Sequence, residues 1–154
     1  MISKQIKRLL LLLSAPLLLT SCELAEPDDD AARDAAVRWA DAYFNCDFHE
    51  AAEYATDESL PWLRFAASNT TEHDLQALQD EGGARVSADE GVLAANDTLR
   101  VIRLTVSPFL APVAVGQEPH LSDEAQFEVT LVLRDNHWKV RMEGLPRSER
   151  QSRD

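Results

Sequence analysis

The chain has 154 residues, a net charge of −12 at neutral pH and two cysteines. This acidity argues against nucleic acid as a partner, because affinity for nucleic acid comes mainly from lysine and arginine side chains that neutralise phosphates. It also argues against adsorption to anionic lipid head groups. The length fits one domain with a short extension and is large enough for a hydrophobic core.

Residues 1–21 have the order of a secretory signal peptide. Lys4, Lys7 and Arg8 form a cationic start, and an apolar run follows over residues 9–19. The apolar run is shorter than the roughly 20 residues that a membrane-spanning helix needs. The sequence therefore predicts a signal peptide that is removed from the mature protein.

The end of this segment, Leu19-Thr20-Ser21-Cys22, resembles the lipobox of bacterial lipoproteins. The resemblance implies cleavage before Cys22 and attachment of lipid to its sulfur and its new amine. Several acyl chains, each contributing about 0.8 kcal/mol per buried methylene, hold a soluble domain at a membrane almost permanently. It also implies a Gram-negative outer-membrane lipoprotein, on either the periplasmic or the surface side. An ordinary cleaved signal with a coincidental cysteine is the alternative.

Residues 22–30 are predicted to be an acidic tether, because they lack an apolar period. The first helix is predicted over 31–45, with Asp30 as its N-cap. Its polar residues repeat every three or four positions, and Trp39 and Tyr43 lie on the opposite, apolar face.

Three shorter helices are predicted to follow. Their predicted N-terminal residues are Asp47, then Thr56 or Ser59, then Thr71. Asp47 and Glu50 have the spacing of a capping box, and Pro61 is tolerated in the first turn of the next helix. Gly82 and Gly83 are expected to end the last one, because glycine adopts the left-handed conformation at low cost.

The apolar period then changes from 3.6 to 2, which predicts strands. The first covers 84–95 with Gly91 at a bulge, and the second covers 99–109. Residues 110–123 are expected to form a long mobile loop. A hairpin follows, in which Asp135-Asn136 forms a two-residue turn.

This turn fixes the predicted register of the hairpin. Leu133 faces Trp138, Leu131 faces Val140, and Val129 faces Met142, so that all six side chains share one face. Residues 31–145 are therefore predicted to form one α+β domain, and residues 146–154 a disordered tail.

The helix end and helix start at 43–51, and the hairpin at 133–140, resemble those of the nuclear transport factor 2-like superfamily. The resemblance implies a cystatin-like α+β cone, in which N-terminal helices pack on one curved four-stranded antiparallel sheet. This superfamily includes enzymes, ligand-binding proteins and interaction modules, so the fold alone does not choose a function.

No catalytic residue, metal site or cofactor is predicted. The side chains assigned to the inner face of the sheet are apolar, and none of them transfers a proton. His49 and Glu50 begin like a zinc-protease motif, but Glu53 stands where the second histidine is needed. Cys46 is expected to be buried and inert, since the neighbouring Asp47 opposes thiolate formation.

Aromatic side chains are the candidates for a ligand pocket. They are Trp39, Tyr43, Trp62, Phe65 and Trp138. The sequence favours a non-enzymatic envelope protein that binds a partner protein or a small apolar ligand. The alternatives are a cone-type isomerase, dehydratase or hydrolase, and a purely structural module whose aromatic residues fill the core.

Overall fold

The structure is a computed structural model that describes residues 28–111 and 120–149. The predicted signal peptide, the lipobox with Cys22 and most of the acidic tether lie outside these residues. Residues 112–119 of the predicted loop and 150–154 of the predicted tail also lie outside them.

The first helix, α1, covers Asp29–Phe44, two residues longer at its start than predicted. Its N-cap is Asp28, which accepts a hydrogen bond from the Asp30 N–H at 2.9 Å, so the prediction of Asp30 as the cap is wrong. Asp29 belongs to the first turn, where its carboxylate lies 2.6 Å from Nε of Arg100 on the sheet. The sequence offers three consecutive aspartates as possible caps. The long-range ion pair of Asp29 with Arg100 favours the earlier start.

Three short helices follow as predicted. They are α2 over Phe48–Glu53, α3 over Leu60–Asn69 and α4 over Glu72–Asp80, with a 3₁₀ turn at Asp57–Ser59 before α3. Asp47 caps α2 through the Glu50 N–H at 3.0 Å, and Thr71 and Asp74 form a reciprocal capping box at α4. Gly82 and Gly83 have φ of +81° and +82° and end α4.

Strands are numbered in chain order, and the two short strands β3 and β4 are described below. The long strands are β1 over Arg85–Asn96, β2 over Leu99–Ser107, β5 over Ala125–Arg134 and β6 over His137–Arg141. They form a four-stranded antiparallel sheet in the order β1-β2-β5-β6. The register of β1 against β2 shifts between Ala88 and Val92, which confirms a bulge around Gly91.

The hairpin of β5 and β6 has the predicted register over its two pairs nearer the turn, in which Leu133 pairs with Trp138 and Leu131 pairs with Val140. The third predicted pair, Val129 with Met142, is not formed, because the ladder ends at Thr130 and Arg141 and the Met142 N–H donates to Ser59 instead. Asp135 and Asn136 both have positive φ, of 48° and 64°, as a two-residue hairpin turn requires.

The predicted long loop is partly ordered into strands. β3 over Phe109–Ala111 pairs with β4 over His120–Ser122 as a separate two-stranded sheet. The strand predicted over 99–109 accordingly ends at Ser107, before the cis peptide bond to Pro108. The alternation of apolar and polar residues does not predict β3 and β4, because each strand has only three residues. Their backbone hydrogen bonds are formed with each other.

The core lies between α1 and one face of the sheet. Trp39 of α1 is fully buried, as are Ile102, Leu104 and Leu131 of the sheet. Phe44, Phe109 and Phe127 form an aromatic cluster at one end of this core, with ring centroids 4.7–6.5 Å apart. The α+β class, with helices packed on one four-stranded antiparallel sheet, is therefore confirmed. No helix within the described ranges is long and apolar enough to cross a membrane.

Candidate functional site

The chain leaves the sheet after β6 and then returns to it. Arg141 is the last residue of β6 and pairs with Thr130 of β5, and an isolated bridge joins Ser148 to Phe127. Residues 142–147, here named the edge loop, lie between these two points. On strand β5, only Glu128 and Val129 lie between Phe127 and Thr130. Six residues of one segment cannot pair one to one with two residues of a strand. The backbone hydrogen-bond ladder is therefore interrupted, and the sheet edge opens at this point.

The return of the chain corrects the prediction of a disordered tail for residues 146–149. Ser148 is buried, and the Glu149 N–H donates to the Gln126 carbonyl at 3.0 Å. The carboxylate of Glu149 also lies 3.2 Å from Nε of Arg103. These partners are more than twenty residues away in sequence, so the polar composition of the segment gave no sign of them.

An open groove of about 1450 Å³ lies at this edge. Its buried lining residues are Trp39 of α1, Val129, Val140 and Met142. Trp62 and Phe65 of α3 line it as well, although their side chains are 38% and 52% exposed. The lining of the groove therefore combines exposed aromatic side chains with buried residues of the core.

Trp39, one of the residues that line the groove, carries an unsatisfied polar atom. Its Nε1 is buried and has no hydrogen-bond partner, whereas Tyr43 stacks on its ring with centroids 4.9 Å apart. Leaving a buried donor unpaired destabilises a folded protein by about 1–3 kcal/mol. The Trp39 side chain is fully buried, so this atom is out of reach of solvent in the groove.

Two arginines that line the groove are paired with its three glutamates. Arg103 lies 3.1 Å from Glu128 and 3.2 Å from Glu149, and Arg141 lies 3.0 Å from Glu143. The hydrogen bond from Glu128 and the charge of Glu149 raise the pKa of the Arg103 guanidinium. The glutamates of the groove are thus engaged in ion pairs.

The predicted pocket residues separate into two groups. Trp39, Trp62 and Phe65 line the groove, whereas Tyr43 and Trp138 are not among its lining residues. Tyr43 packs behind Trp39, and burial raises the pKa of its phenol far above the usual value. Trp138 instead lies under the Arg100 guanidinium, 5.2 Å from its ring centroid.

The sequence did not predict the edge loop. Met142 was predicted to face Val129 in the hairpin, and residues 146–147 were predicted to belong to a disordered tail. Gly144 and Pro146 were a usable signal, because both residues interrupt a strand.

Cys46 is half-buried and has φ of +64°. Burial raises the pKa of its thiol, and the charge of Asp74 raises it further, against an opposing hydrogen bond from Thr70. The fold thus brings the charge of Asp74 close to the thiol, a contribution that the sequence did not predict. Within residues 28–111 and 120–149, no cluster of three or more His, Cys, Asp or Glu side chains is arranged to hold a metal ion.

No protein-family model matches the sequence, and no curated protein sequence matches it. Among solved structures, the chain is similar to an NTF-2-like protein of unknown function from Shewanella oneidensis, with 10% identity and a TM-score of 0.48 over 72% of this chain and 92% of that one. It is also similar to an NTF-2-like protein involved in plasmid conjugation, with 15% identity and a TM-score of 0.40 over 77% of this chain and 48% of that one. A candidate polyketide cyclase from Xanthomonas campestris has 11% identity and a TM-score of 0.40, over 74% of this chain and 91% of that one. Because these three TM-scores are below 0.5, the similarities do not indicate an activity for this chain.

Proposed function

We propose that this chain is a lipid-anchored protein of the cell envelope whose nuclear transport factor 2-like cone binds a small apolar ligand without catalysing a reaction. The observation that carries the proposal is the groove. Its lining brings exposed Trp62 and Phe65 together with buried Val129, Val140 and Met142, so that aromatic surface left in water lies at the border of the core.

Apolar surface is the driving force for binding in this groove. Removing apolar surface from water stabilises a complex by roughly 25 cal/mol per Å² before the cost of association. Trp62 and Phe65 are 38% and 52% exposed in the free protein. A ligand that covers both rings therefore removes from water apolar surface that folding leaves exposed. A partner protein that inserts an apolar side chain would use the same surface.

Binding is proposed over catalysis because of the aromatic surface of the groove. Glu128, Glu143 and Glu149 each lie within 3.2 Å of an arginine nitrogen. Trp62 and Phe65, in contrast, are exposed and can be covered by a ligand.

The membrane attachment rests on the sequence. The lipobox ends at Cys22, and the described domain begins only a few residues later at Asp28. A lipid on Cys22 would therefore hold the groove near the membrane surface, on the periplasmic or the outer side of an outer membrane.

Paired substitutions in α3 test the groove. In the unlipidated Cys22→Ser chain, we expect Trp62→Ala with Phe65→Ala to weaken binding of the apolar fluorescent probe N-phenyl-1-naphthylamine about tenfold or more. Leu75→Ala is the matched control, because Leu75 is 36% exposed and does not line the groove. Unchanged probe affinity in the double variant would refute the groove as the binding site. Turnover of a bound ester or ketone would favour the enzymatic alternative.

A further inference from the structure

We propose that two copies of this chain pair through the groove side of the sheet, so that each copy covers the groove of the other. The inference goes beyond the proposed binding of a small ligand and does not depend on it.

The residues that line the groove have the composition of a protein interface. Interfaces are enriched in aromatic residues, methionine and arginine, and depleted in lysine, aspartate, serine and alanine. Among the described residues, the lining contains two tryptophans, one phenylalanine, one methionine and three arginines, and none of those four depleted types. Alanine and aspartate are nonetheless common in the chain. Glutamate, which interfaces also tend to lack, is the exception, since three glutamates line the groove.

Part of the lining lies on the face of the sheet that points away from the core. Arg103 pairs with Glu128 in the strand register, and their neighbours Ile102 and Val129 are buried in the core. Successive residues of a strand point to opposite faces of the sheet, so Arg103 and Glu128 lie on the outer face. Their side chains are 42% and 47% exposed. The groove therefore includes a charged, partly exposed sheet surface that a second molecule can reach.

Charge is distributed unevenly over the domain. Residues 28–84, which contain the helices, carry fourteen aspartates and glutamates against three arginines. The groove lining carries three arginines and three glutamates. Two copies that met through their helices would bring two acidic surfaces together, and like charges in contact oppose association. The groove side can meet a second copy without this repulsion.

The arrangement of charges in the groove suits a two-fold interface. In such an interface the same patch of both copies meets, so the patch must be complementary to itself. Arg103 lies near Glu128 and Glu149, and Arg141 lies beside Glu143, so positive and negative groups alternate across the patch. An arginine of one copy can therefore lie against a glutamate of the other. This property favours a second copy over a partner of strongly acidic or strongly basic character.

Trp62 and Phe65 supply apolar surface to the interface. Their side chains are 38% and 52% exposed in a single copy, and tryptophan is among the residues that contribute most to protein–protein binding. A second copy that covers them removes apolar surface from water. It also encloses the open groove, as a ligand site requires, because small-molecule sites bury about 70–90% of the surface of their ligand.

The oligomeric state of the Cys22→Ser chain tests the inference. Sedimentation equilibrium at up to about 100 µM should show a mass that rises to twice that of one chain, because interfaces of standard size have dissociation constants of about 1 µM or lower. Phe65→Glu should weaken self-association about tenfold or more, since it replaces an exposed ring with a charge. Leu75→Glu is the matched control, because Leu75 is 36% exposed and does not line the groove.

Two charge reversals separate an effect at the groove from an effect of net charge. Arg141→Glu and Arg38→Glu change the net charge by the same amount. Arg141 lines the groove, whereas Arg38 lies on α1 and bonds to Asp34 at 2.8 Å. We expect Arg141→Glu to weaken self-association about tenfold or more, and Arg38→Glu to leave it unchanged.

The outcomes separate this inference from the proposed function. A monomer at the highest concentration would overturn the inference and would leave the groove to a small ligand or to a different protein. Self-association that persists in both Phe65→Glu and Arg141→Glu would also overturn it, because the interface would then lie elsewhere. The proposed function is decided separately, by probe binding. Circular dichroism checks the fold of each variant, and if Arg141→Glu does not fold, Phe65→Glu decides, since Phe65 is exposed.

Discussion

The Met142 N–H donates a hydrogen bond to Oγ of Ser59 at 2.8 Å, across more than eighty residues of sequence. Ser59 is fully buried and in turn donates to the Val140 carbonyl at 3.2 Å. Its hydroxyl therefore joins the 3₁₀ turn before α3 to the residue at which β6 gives way to the edge loop. It does not cap α3, the role that the sequence allowed it.

Ser59→Ala is expected to lower the free energy of unfolding by about 1–3 kcal/mol, because it leaves the buried Met142 N–H without its acceptor. Urea denaturation monitored by circular dichroism measures this change. Ser68→Ala is the control, since the exposed Ser68 hydroxyl bonds only to its own helix, at the Phe65 carbonyl, and should change stability by less than about 0.5 kcal/mol. Similar small losses in both variants would show that the buried hydroxyl contributes little.

Gly82 and Gly83 form a matched pair for testing the turn after α4. Both have φ near +80°, but a Cβ on Gly83 would lie 2.8 Å from Oδ1 of Asn45, whereas one on Gly82 would meet nothing within 4 Å. That Asn45 oxygen accepts from the Ala84 N–H at 2.8 Å.

We therefore expect Gly82→Ala to lower the free energy of unfolding by about 1 kcal/mol through backbone strain alone. Gly83→Ala should lower it by at least about 1 kcal/mol more, because it also displaces the Asn45 amide. Thermal and urea unfolding compare the two. Equal losses would show that the Asn45 contact adds nothing to the strain.

The thiol of Cys46 is expected to react slowly in the folded protein. Burial and the charge of Asp74 raise its pKa, so the folded state favours the protonated thiol and the reactive thiolate appears only at higher pH. Folding stability from this group is present below the unfolded pKa and is lost as pH rises through the higher folded pKa.

Alkylation of the Cys22→Ser chain by iodoacetamide measures the reactivity of Cys46. The folded rate should keep rising with pH after the rate of the urea-unfolded chain has levelled off. Asp74→Asn should shift the folded profile to lower pH, whereas Glu72→Gln on the same helix should not. A folded profile that coincides with the unfolded one would contradict the assignment.

Cys22→Ser is expected to release the protein from the membrane fraction and to abolish labelling by a fatty-acid probe, because the sulfur that would carry the lipid is absent. Cys46→Ser is the matched control and should leave both unchanged, since Cys46 lies within the folded domain. Membrane retention and normal processing of Cys22→Ser would rule out the anchor.

Sequence alone determined the elements whose signals are local. The register of the β5–β6 hairpin followed from a period of two and a turn that requires positive φ at Asp135 and Asn136, and both are observed. The caps at Asp47 and Thr71 were predictable for the same reason, because a capping side chain bonds to a backbone N–H three residues away.

Only the tertiary structure decided the groove. Trp39, Trp62 and Phe65 stood out in the sequence as large apolar residues, but their spacing does not say that the edge loop opens beside them. That opening depends on where β6 stops and where Ser148 rejoins β5. These points are fixed by bonds between residues far apart in sequence, among them Ser59 to Met142 and Glu149 to Gln126. Such bonds leave no periodic trace in the chain, because each depends on the packing of elements that the local sequence forms separately.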